Sequence, residues 1–437
     1  MFLAPFLAIL SFQLQADPRS LAKASREEKG GWIVLHLDGK PYDIGYEQGT
    51  LAASEISDAM TSVAMSFAAE HAGYDWQWLR NTAETVSWPQ VEDQYKQEIE
   101  GIADGMRAKG FSRDWKDVLA LNDHIELGDY YLPLYGKKTS GRVVSEAPSA
   151  CSAFVATGSE TADGKPVVGQ NFWWDYFTGF RWRFMLDIRP LQGHRVVFDT
   201  LPGMIHSGTD WALNDSGILI TETTISDFVG YKPDGIPEFV RMRKAAQYGS
   251  SLDEAKQILM DGNNGGYANT WLMADYKSGE IGKLELGLKN VIYHHTNDGY
   301  YVGSNFPEDP KLMAEETPDY RPTADNNCEM RRKRWTAHLE GDKGKVNADY
   351  AKTYVEDDFD EMDGKLDGQG SALCGRYPGA GACNAKVCDA KLAANMEFFA
   401  RFGIPDGSMP EWSPFMTASE KSDLPEAKPH GWIVIGG

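Results

Sequence analysis

The sequence is poor in positive charge and in long apolar runs, and each shortage excludes a class of protein. It has 43 Lys and Arg residues against 64 Asp and Glu, which gives a formal net charge of −21. Binding to nucleic-acid phosphates or to anionic lipid headgroups depends on Lys and Arg, so we expect neither as a partner. No run of 18 consecutive apolar residues occurs, so the sequence predicts no stable membrane span.

Cysteine is also scarce, with five residues in a chain of 437, and the number is odd. Cys328, Cys374, Cys383 and Cys388 form a C-terminal quartet that could make two disulfides, with three possible connectivities. Their spacing matches no zinc ribbon, so we expect no metal. Cys151 stands 177 residues before the next cysteine and is left as a free thiol. Counting alone leaves a buried structural role and a catalytic role equally open.

What the sequence does contain is enough apolar material for a large core. Hydrophobic residues make up 42% and aromatic residues 12% of the chain, which excludes a disordered or fibrous protein. The length alone suggests two or three domains.

Residues 1–16 are mostly apolar but too short to span a bilayer, and they predict a signal peptide cut near Ala16. A hydrophobic helix that stays attached is the alternative. An exported chain would be secreted, periplasmic or, in a eukaryote, in a lysosome-like lumen, where disulfides are permitted.

The pattern changes at Cys151. Residues 17–150 are mostly helical in their periodicity and end in a polar stretch, 136–150, that is typical of an exposed linker. Residues 151–437 begin with alternating strands joined by a hairpin turn at 162–165. Runs of strands and runs of helices indicate an α+β layered fold.

A cut between Ala150 and Cys151 would give this thiol a chemical use. Cys151 would become an N-terminal residue, and a free α-amine has a pKa of about 7.7–8.0, close enough to neutrality to accept the thiol proton. An N-terminal amine that serves as the base for its own side chain is a known way to activate a nucleophile, and it needs no histidine.

Short motifs follow one another along the chain in an order that resembles a known family. They are residues 45–49, 151–153, 169–171, 206–210, 221–224, 263–271, 374–376 and 386–389. From about residue 31 onward, the sequence resembles the self-processing N-terminal nucleophile (Ntn) hydrolases of the acyl-CoA:6-aminopenicillanate acyltransferase-like group and its phospholipase B-like branch.

The resemblance implies a four-layer αββα sandwich of two antiparallel sheets between helical layers. The precursor would cut itself before Cys151, and residues 17–150 would stay bound as a small subunit of the catalytic part, 151–437. No metal or organic cofactor is implied, and the substrate would be a small acyl amide or a lipid.

The resemblance also assigns roles to single residues. Cys151 would be the nucleophile, and Asn269 would donate to the oxyanion. Asn171 would line the site, Asp175 would orient the new α-amine, and Arg376 would be the cationic group.

Five further residues carry two interpretations each. Trp173 and Trp174 belong either to the core or to an apolar wall for an acyl group. His206, Asp210 and Glu222 are either hydrogen-bonded structural groups or contacts for the substrate.

The function predicted from the sequence is therefore a self-processing hydrolase that cleaves a linear amide, or an ester, through a thioester on Cys151. A phospholipase B-like hydrolase that releases fatty acids from phospholipids is the first alternative. A processed binding protein without catalysis is the second.

Overall fold

A computed structural model describes residues 21–136, 151–366, 368, 370–412 and 428–437. The predicted signal peptide and Ala150 lie outside the described residues. Among the described helices, none combines the length and the apolar composition needed to cross a membrane.

The region before Cys151 is mostly helical, but it begins with two strands that the sequence pattern did not predict. Its elements are β1 (Ser25–Lys29), β2 (Trp32–Gly39), α1 (Pro41–Leu51), α2 (Ala53–Glu70), α3 (Trp76–Val86), α4 (Asp93–Ala108), α5 (Trp115–Ile125), a π-helical turn (Glu126–Tyr131) and α6 (Leu132–Tyr135).

One of the recognised motifs, residues 45–49, packs two of these helices together. A Cβ added to Gly45 of α1 would lie 1.9 Å from the backbone oxygen of Glu98 in α4, and one on Gly49 would lie 2.1 Å from that of Ile102. The glycines are needed because α1 and α4 touch backbone to backbone. This motif therefore serves the packing of the helical region.

The strands after Cys151 are short and mostly buried. They are β3 (Ser152–Thr157), β4 (Val167–Asp175), β5 (Phe184–Pro190), β6 (Val196–Thr200), β7 (Ala212–Asn214), β8 (Ile218–Thr224), β9 (Asn269–Asp275), β10 (Ile281–Leu286), β11 (Val291–Thr296), β12 (Gly299–Gly303), β13 (Phe359–Asp360), β14 (Lys365–Leu366), β15 (Arg376–Tyr377), β16 (Ala380–Asp389), β17 (Glu397–Phe402) and β18 (Ile433–Gly436).

Helices lie between these strands. They are α7 (Tyr176–Gly179), α8 (Glu238–Tyr248), α9 (Leu252–Met260), α10 (Pro310–Glu316), α11 (Asn327–Gly341), α12 (Ala348–Val355) and α13 (Ala390–Ala393).

Within the described residues the strands form two large sheets and one small hairpin, β13–β14. The first sheet has the order β1-β2-β5-β6-β7-β8-β9-β10-β11, and the second β12-β3-β4-β16-β17-β18, with β15 paired to β16. All pairs are antiparallel except β2 with β5. Because β2 joins the same sheet as β5, the part before Cys151 and the part after it share one folded body.

The two sheets face each other, with β3 and β12 of the second sheet against β8, β9 and β10 of the first. Helices α8 and α9 cover the outside of the first sheet, and α11 and α12 cover the outside of the second. This confirms the predicted α+β class with four αββα layers.

The predicted disulfides are absent from the structure, because all five cysteines are separate buried thiols. Cys383 and Cys388 lie on the same strand, β16, five residues and hence roughly 16 Å apart, beyond the reach of a disulfide. Cys328 lies in the first turn of α11, where its thiol contacts Ser226 and the Arg331 guanidinium at 3.7 and 3.6 Å.

Candidate functional site

Cys151 stands directly before β3, at the start of the inner strand pair of the second sheet. Side chains alternate along this strand, so that Ser152 contacts Arg331 of α11 and Phe154 packs on Trp335, in the outer helical layer. Cys151 consequently turns the other way, toward the first sheet. Its side chain is only 4% exposed.

The surroundings of the Cys151 thiol raise its pKa and so lower its reactivity. Burial, and next the negative charge of Glu222, raise its pKa to about 12. A long contact of 3.9 Å from Sγ to the Trp173 carbonyl oxygen and the charges of Lys386 and Arg331 oppose this rise without cancelling it. At neutral pH the thiol is therefore protonated and needs a nearby base.

Arg331 holds the main chain of Cys151, and sequence reasoning missed it. Its Nη1 donates to the Cys151 carbonyl oxygen at 2.8 Å and to Ser152 Oγ at 3.0 Å. Its Nη2 donates to Asn305 and Asn327, and the guanidinium lies 5.8 Å from the centre of the Trp173 indole.

A signal for Arg331 is present in the sequence. Cys328, Arg331, Trp335 and Leu339 follow the spacing of one helical face, and they are the buried residues of α11. An arginine on an apolar helical face is the exception that marks a buried cation.

Arg376, the cation predicted for the site, lies on β15 and is 9% exposed. Its Nη1 pairs with Asp406 Oδ2 at 2.9 Å. The charge of Arg376 acts on Cys374 and Tyr176.

Asn269 is the first residue of β9 and is completely buried. Its Nδ2 donates to Asp210 Oδ2 at 3.2 Å. Tyr267, two residues earlier, has a raised pKa, because of burial first and then the charges of Glu222, Asp210 and Cys151. The predicted residues Cys151, Asn269, Asp210 and Glu222 thus gather in one region between the sheets.

Asp210, Glu222 and Glu238 form a buried carboxyl cluster. Burial raises the pKa of all three groups, and each is raised further by the charge of another member. Oδ1 of Asp210 and both carboxyl oxygens of Glu222 have no hydrogen-bond partner among the described residues. Buried carboxyls that lie near one another resist ionisation, so the cluster retains protons that exposed carboxyls would lose.

A buried cation, Lys386, lies on the other side of this cluster. Its Nζ donates to Asp199 at 2.8 Å, to Asn384 at 3.0 Å and to Thr209 at 3.1 Å. Burial lowers the pKa of Lys386, and the Asp199 charge opposes that shift. Thr209 immediately precedes Asp210, so this network anchors the loop that carries the cluster.

Two of the predicted residues, Asn171 and Asp175 of β4, make structural contacts. The Nδ2 of Asn171 donates to the carbonyl oxygens of Val355 and Leu373, both at 2.9 Å, which uses both of its hydrogens. Asp175 caps α7 by accepting from the backbone N–H and the hydroxyl of Thr178. Burial raises the pKa of Asp175.

The remaining predicted residues line or support the region. Trp173 donates from Nε1 to Leu373 O at 3.2 Å, and the half-buried Trp174 packs on Phe172 and Trp182. Burial lowers the pKa of His206 to about 3, so at neutral pH this ring is uncharged and does not take up a second proton.

The sequence profile of the phospholipase B family matches residues 42–337. An uncharacterized protein of Archaeoglobus fulgidus is 27% identical over 265 residues, which are 58% of this chain and 42% of that protein. A phospholipase B-like 2 of Caenorhabditis elegans is 25% identical over 285 residues, 56% of this chain and 48% of that protein. The chain therefore spans about half the length of the curated relatives it matches.

Among solved structures, an arginine-to-leucine variant of conjugated bile acid hydrolase from Clostridium perfringens covers 61% of this chain and 99% of its own. The identity is 11% and the TM-score 0.34, a likeness too distant to carry an argument.

Proposed function

The chain belongs to the phospholipase B family, and on that premise we propose that it is a hydrolase that cleaves an acyl bond through a thioester on Cys151. The observation that carries the proposal is the position of this thiol. It opens β3 on the face toward the first sheet, its carbonyl is held by Arg331, and Asn269 lies in the same buried region.

Maturation would use the same thiol. Sγ attacks the carbonyl carbon of Ala150, the peptide C–N bond breaks, and the nitrogen takes the thiol proton to become the α-amine of Cys151. Water then hydrolyses the thioester, which leaves Ala150 with a free carboxylate and returns the thiol.

The mature site would run the same sequence on a substrate. The α-amine takes the proton from Sγ, which attacks the acyl carbonyl, and Asn269 donates to the oxygen that becomes negative. Donors of this kind contribute about 2.7–4 kcal/mol to the barrier reduction. The amine then protonates the leaving group, and water that it activates frees the acyl group from Sγ.

The raised pKa of the thiol supports a zymogen. A pKa of about 12 leaves almost no thiolate at neutral pH, so the intact chain would be a poor nucleophile toward outside substrates. The α-amine that cleavage forms on Cys151 would supply the missing base on the same residue as the thiol.

For the substrate, the family favours a fatty acyl ester of a glycerophospholipid over the linear amide that the sequence alone suggested. Trp174, with Phe172 and Trp182 behind it, offers apolar surface for an acyl chain near β4. Both bond types pass through the same thioester, so the choice is made by assay.

The experiment compares wild type, Cys151→Ala and, as a matched control, Cys388→Ala, a second buried thiol that contacts the carbonyl oxygens of Asp389 and Glu397. With the signal peptide removed, wild type and the control should give fragments of 134 and 287 residues on a denaturing gel. Both should release fatty acid from a lysophospholipid faster than from an N-acyl amino acid. Cys151→Ala should stay whole and inactive.

Other outcomes are equally clear. Faster turnover of the N-acyl amino acid would replace the ester by the amide. Wild-type protein that stays whole would refute self-cleavage. A cleaved protein that a thiol-directed acyl electrophile leaves unlabelled at Cys151 would favour the processed binding protein without catalysis.

A further inference from the structure

Within the part of the chain that the structure describes, the amide of Asn269 donates one of its two N–H groups and leaves the other without an acceptor. Nδ2 carries two hydrogens, and one of them is donated to Asp210 Oδ2 at 3.2 Å. Asn269 and Asp210 are both 0% exposed, so no solvent competes for this bond. The oxygen of the amide, Oδ1, has no hydrogen-bond partner among the described residues. The bond to Asp210 is therefore the main constraint on how this amide is turned.

Asp210 itself is held in a backbone conformation that few residues adopt. Its φ is 52°, in the left-handed region, which Asp and Asn tolerate better than other residues that have a Cβ. Its backbone N–H donates to Ser207 O at 3.0 Å, and Trp211 N donates to Ser207 Oγ at 2.9 Å. The tight turn projects the carboxyl at a fixed angle.

A buried network of Asp199, Thr209 and Lys386 anchors the turn that carries Asp210. The Thr209 hydroxyl donates to Asp199 Oδ1 at 2.5 Å and accepts from Lys386 Nζ at 3.1 Å. All three residues are completely buried. Such a network gives Asp210 a rigid base in both sheets, because Asp199 lies on β6 and Lys386 on β16.

We propose that Asp210 is the positioning residue for the oxyanion donor: its carboxyl holds one N–H of Asn269 so that the other points to the acyl oxygen attacked by Cys151. The inference rests on the proposed function and deepens it. Asp210 touches neither the nucleophile nor the acyl group in this scheme, and it acts only by fixing the amide.

The side chain of Asp210 is committed to Asn269. Its Oδ2 accepts from Asn269 Nδ2, and its other oxygen, Oδ1, has no hydrogen-bond partner among the described residues. Positioning of this kind matters because small misplacements of a catalytic group cost large factors in rate.

The test is a double-mutant cycle on the full chain with wild type, Asp210→Ala, Asn269→Ala and the double variant. Turnover of the better substrate is normalised to the Cys151 thiol titrated by an acyl electrophile, so that incomplete self-cleavage does not count as lost catalysis. Asn269→Ala should lower kcat by about 10²–10³, the usual loss for one oxyanion donor. Asp210→Ala should lower kcat about tenfold with KM nearly unchanged, since the donor remains but is loosely held.

The cycle separates positioning from a general structural role. If Asp210 acts through Asn269, then Asp210→Ala should change kcat less than about twofold once Asn269 is already Ala. Asp210→Asn should restore most of the lost rate, because its side-chain oxygen can accept the same N–H and Asn tolerates the same φ. Asp227→Ala is the control for backbone strain, because Asp227 is exposed and has a φ of 57°.

The results that overturn the proposal differ from those that overturn the function. Activity that survives Cys151→Ala refutes the thioester mechanism and this role with it. Activity that requires Cys151, together with an Asp210→Ala loss that is the same in both backgrounds, refutes positioning alone. A rate loss in Asp227→Ala as large as that in Asp210→Ala would assign the effect to backbone strain and would also refute it.

Discussion

Cys151 lies between a guanidinium on its outer side and a carboxyl on its inner side, and the two groups act on different parts of the residue. On the outer side the Arg331 guanidinium donates to the carbonyl oxygen of Cys151 and so fixes its main chain. On the inner side burial, and next the charge of Glu222, raise the pKa of the thiol. The main chain of Cys151 is therefore held by a cation, while burial beside a carboxyl keeps its thiol protonated.

The largest effect is expected when the Arg331 cation is removed. Arg331→Met leaves the carbonyl of Cys151 and the side chains of Ser152 and Asn305 without a buried donor. We expect the free energy of unfolding to fall by about 3 kcal/mol or more, because several buried acceptors lose their partner at once. Urea unfolding in a Cys151→Ala background checks this on uncut protein. Lys333→Met, on the exposed side of the same helix, should leave the free energy of unfolding within about 0.5 kcal/mol of the parent value.

A medium effect is expected from the carboxyl cluster, with a characteristic pH dependence. The pKa of Glu238 is raised in the folded chain above its ordinary value of 4.5, mainly by burial. The folded state then binds more protons than the unfolded one, so stability is highest below the unfolded pKa and falls as the pH rises toward the folded pKa. Glu238→Gln keeps the size of the side chain but cannot ionise.

This variant should therefore raise stability above pH 5 and make no gain near pH 4. We expect about 1 kcal/mol at pH 8, a typical size for a single substitution. Thermal unfolding at several pH values in the Cys151→Ala background measures it, with Glu254→Gln on the exposed start of α9 as the control. A gain that does not depend on pH would show that the cluster is not protonated as described.

The smallest effect is expected from Arg376→Ala, which tests whether Arg376 belongs to the site. Arg376→Ala removes the ion pair with Asp406. It also removes the positive charge that acts on Cys374 and Tyr176. We expect kcat to change by less than about threefold, because the carbonyl of Cys151 is held by Arg331. Steady-state assays beside Arg331→Met test this, and a loss of 100-fold in Arg376→Ala would return Arg376 to the site.

Much of the fold could be predicted because it depends on local pattern. The alternation after Cys151 predicted β3, and the hairpin turn predicted its pairing with β4, which the register of Ser152 opposite Asn171 bears out. The strands β1 and β2 were not predicted, since β2 is held in place by its parallel neighbour β5, far along the chain.

The site was harder, because its residues come together only through long-range packing. Asn269, Asp210 and Glu222 lie in one region because β8 and β9 are neighbours and the 206–211 turn folds under them. Asn171 and Asp175 have the residue types that suit a site, yet Asn171 donates to the end of α12 and to the loop at Leu373, and Asp175 caps α7. Residue type alone could not separate these cases, since it does not say which face of a strand a side chain takes.

The sequence by itself determined that Cys151 opens a strand and that the chain is an α+β protein, because strand alternation and turn signals are local properties. Only the tertiary structure decided that the cysteine quartet is not bridged, that Arg331 contacts the carbonyl of Cys151, and that Asn269 donates to Asp210. Each of these depends on which elements pack together, and the distances between them are set by the two facing sheets and the helices outside them.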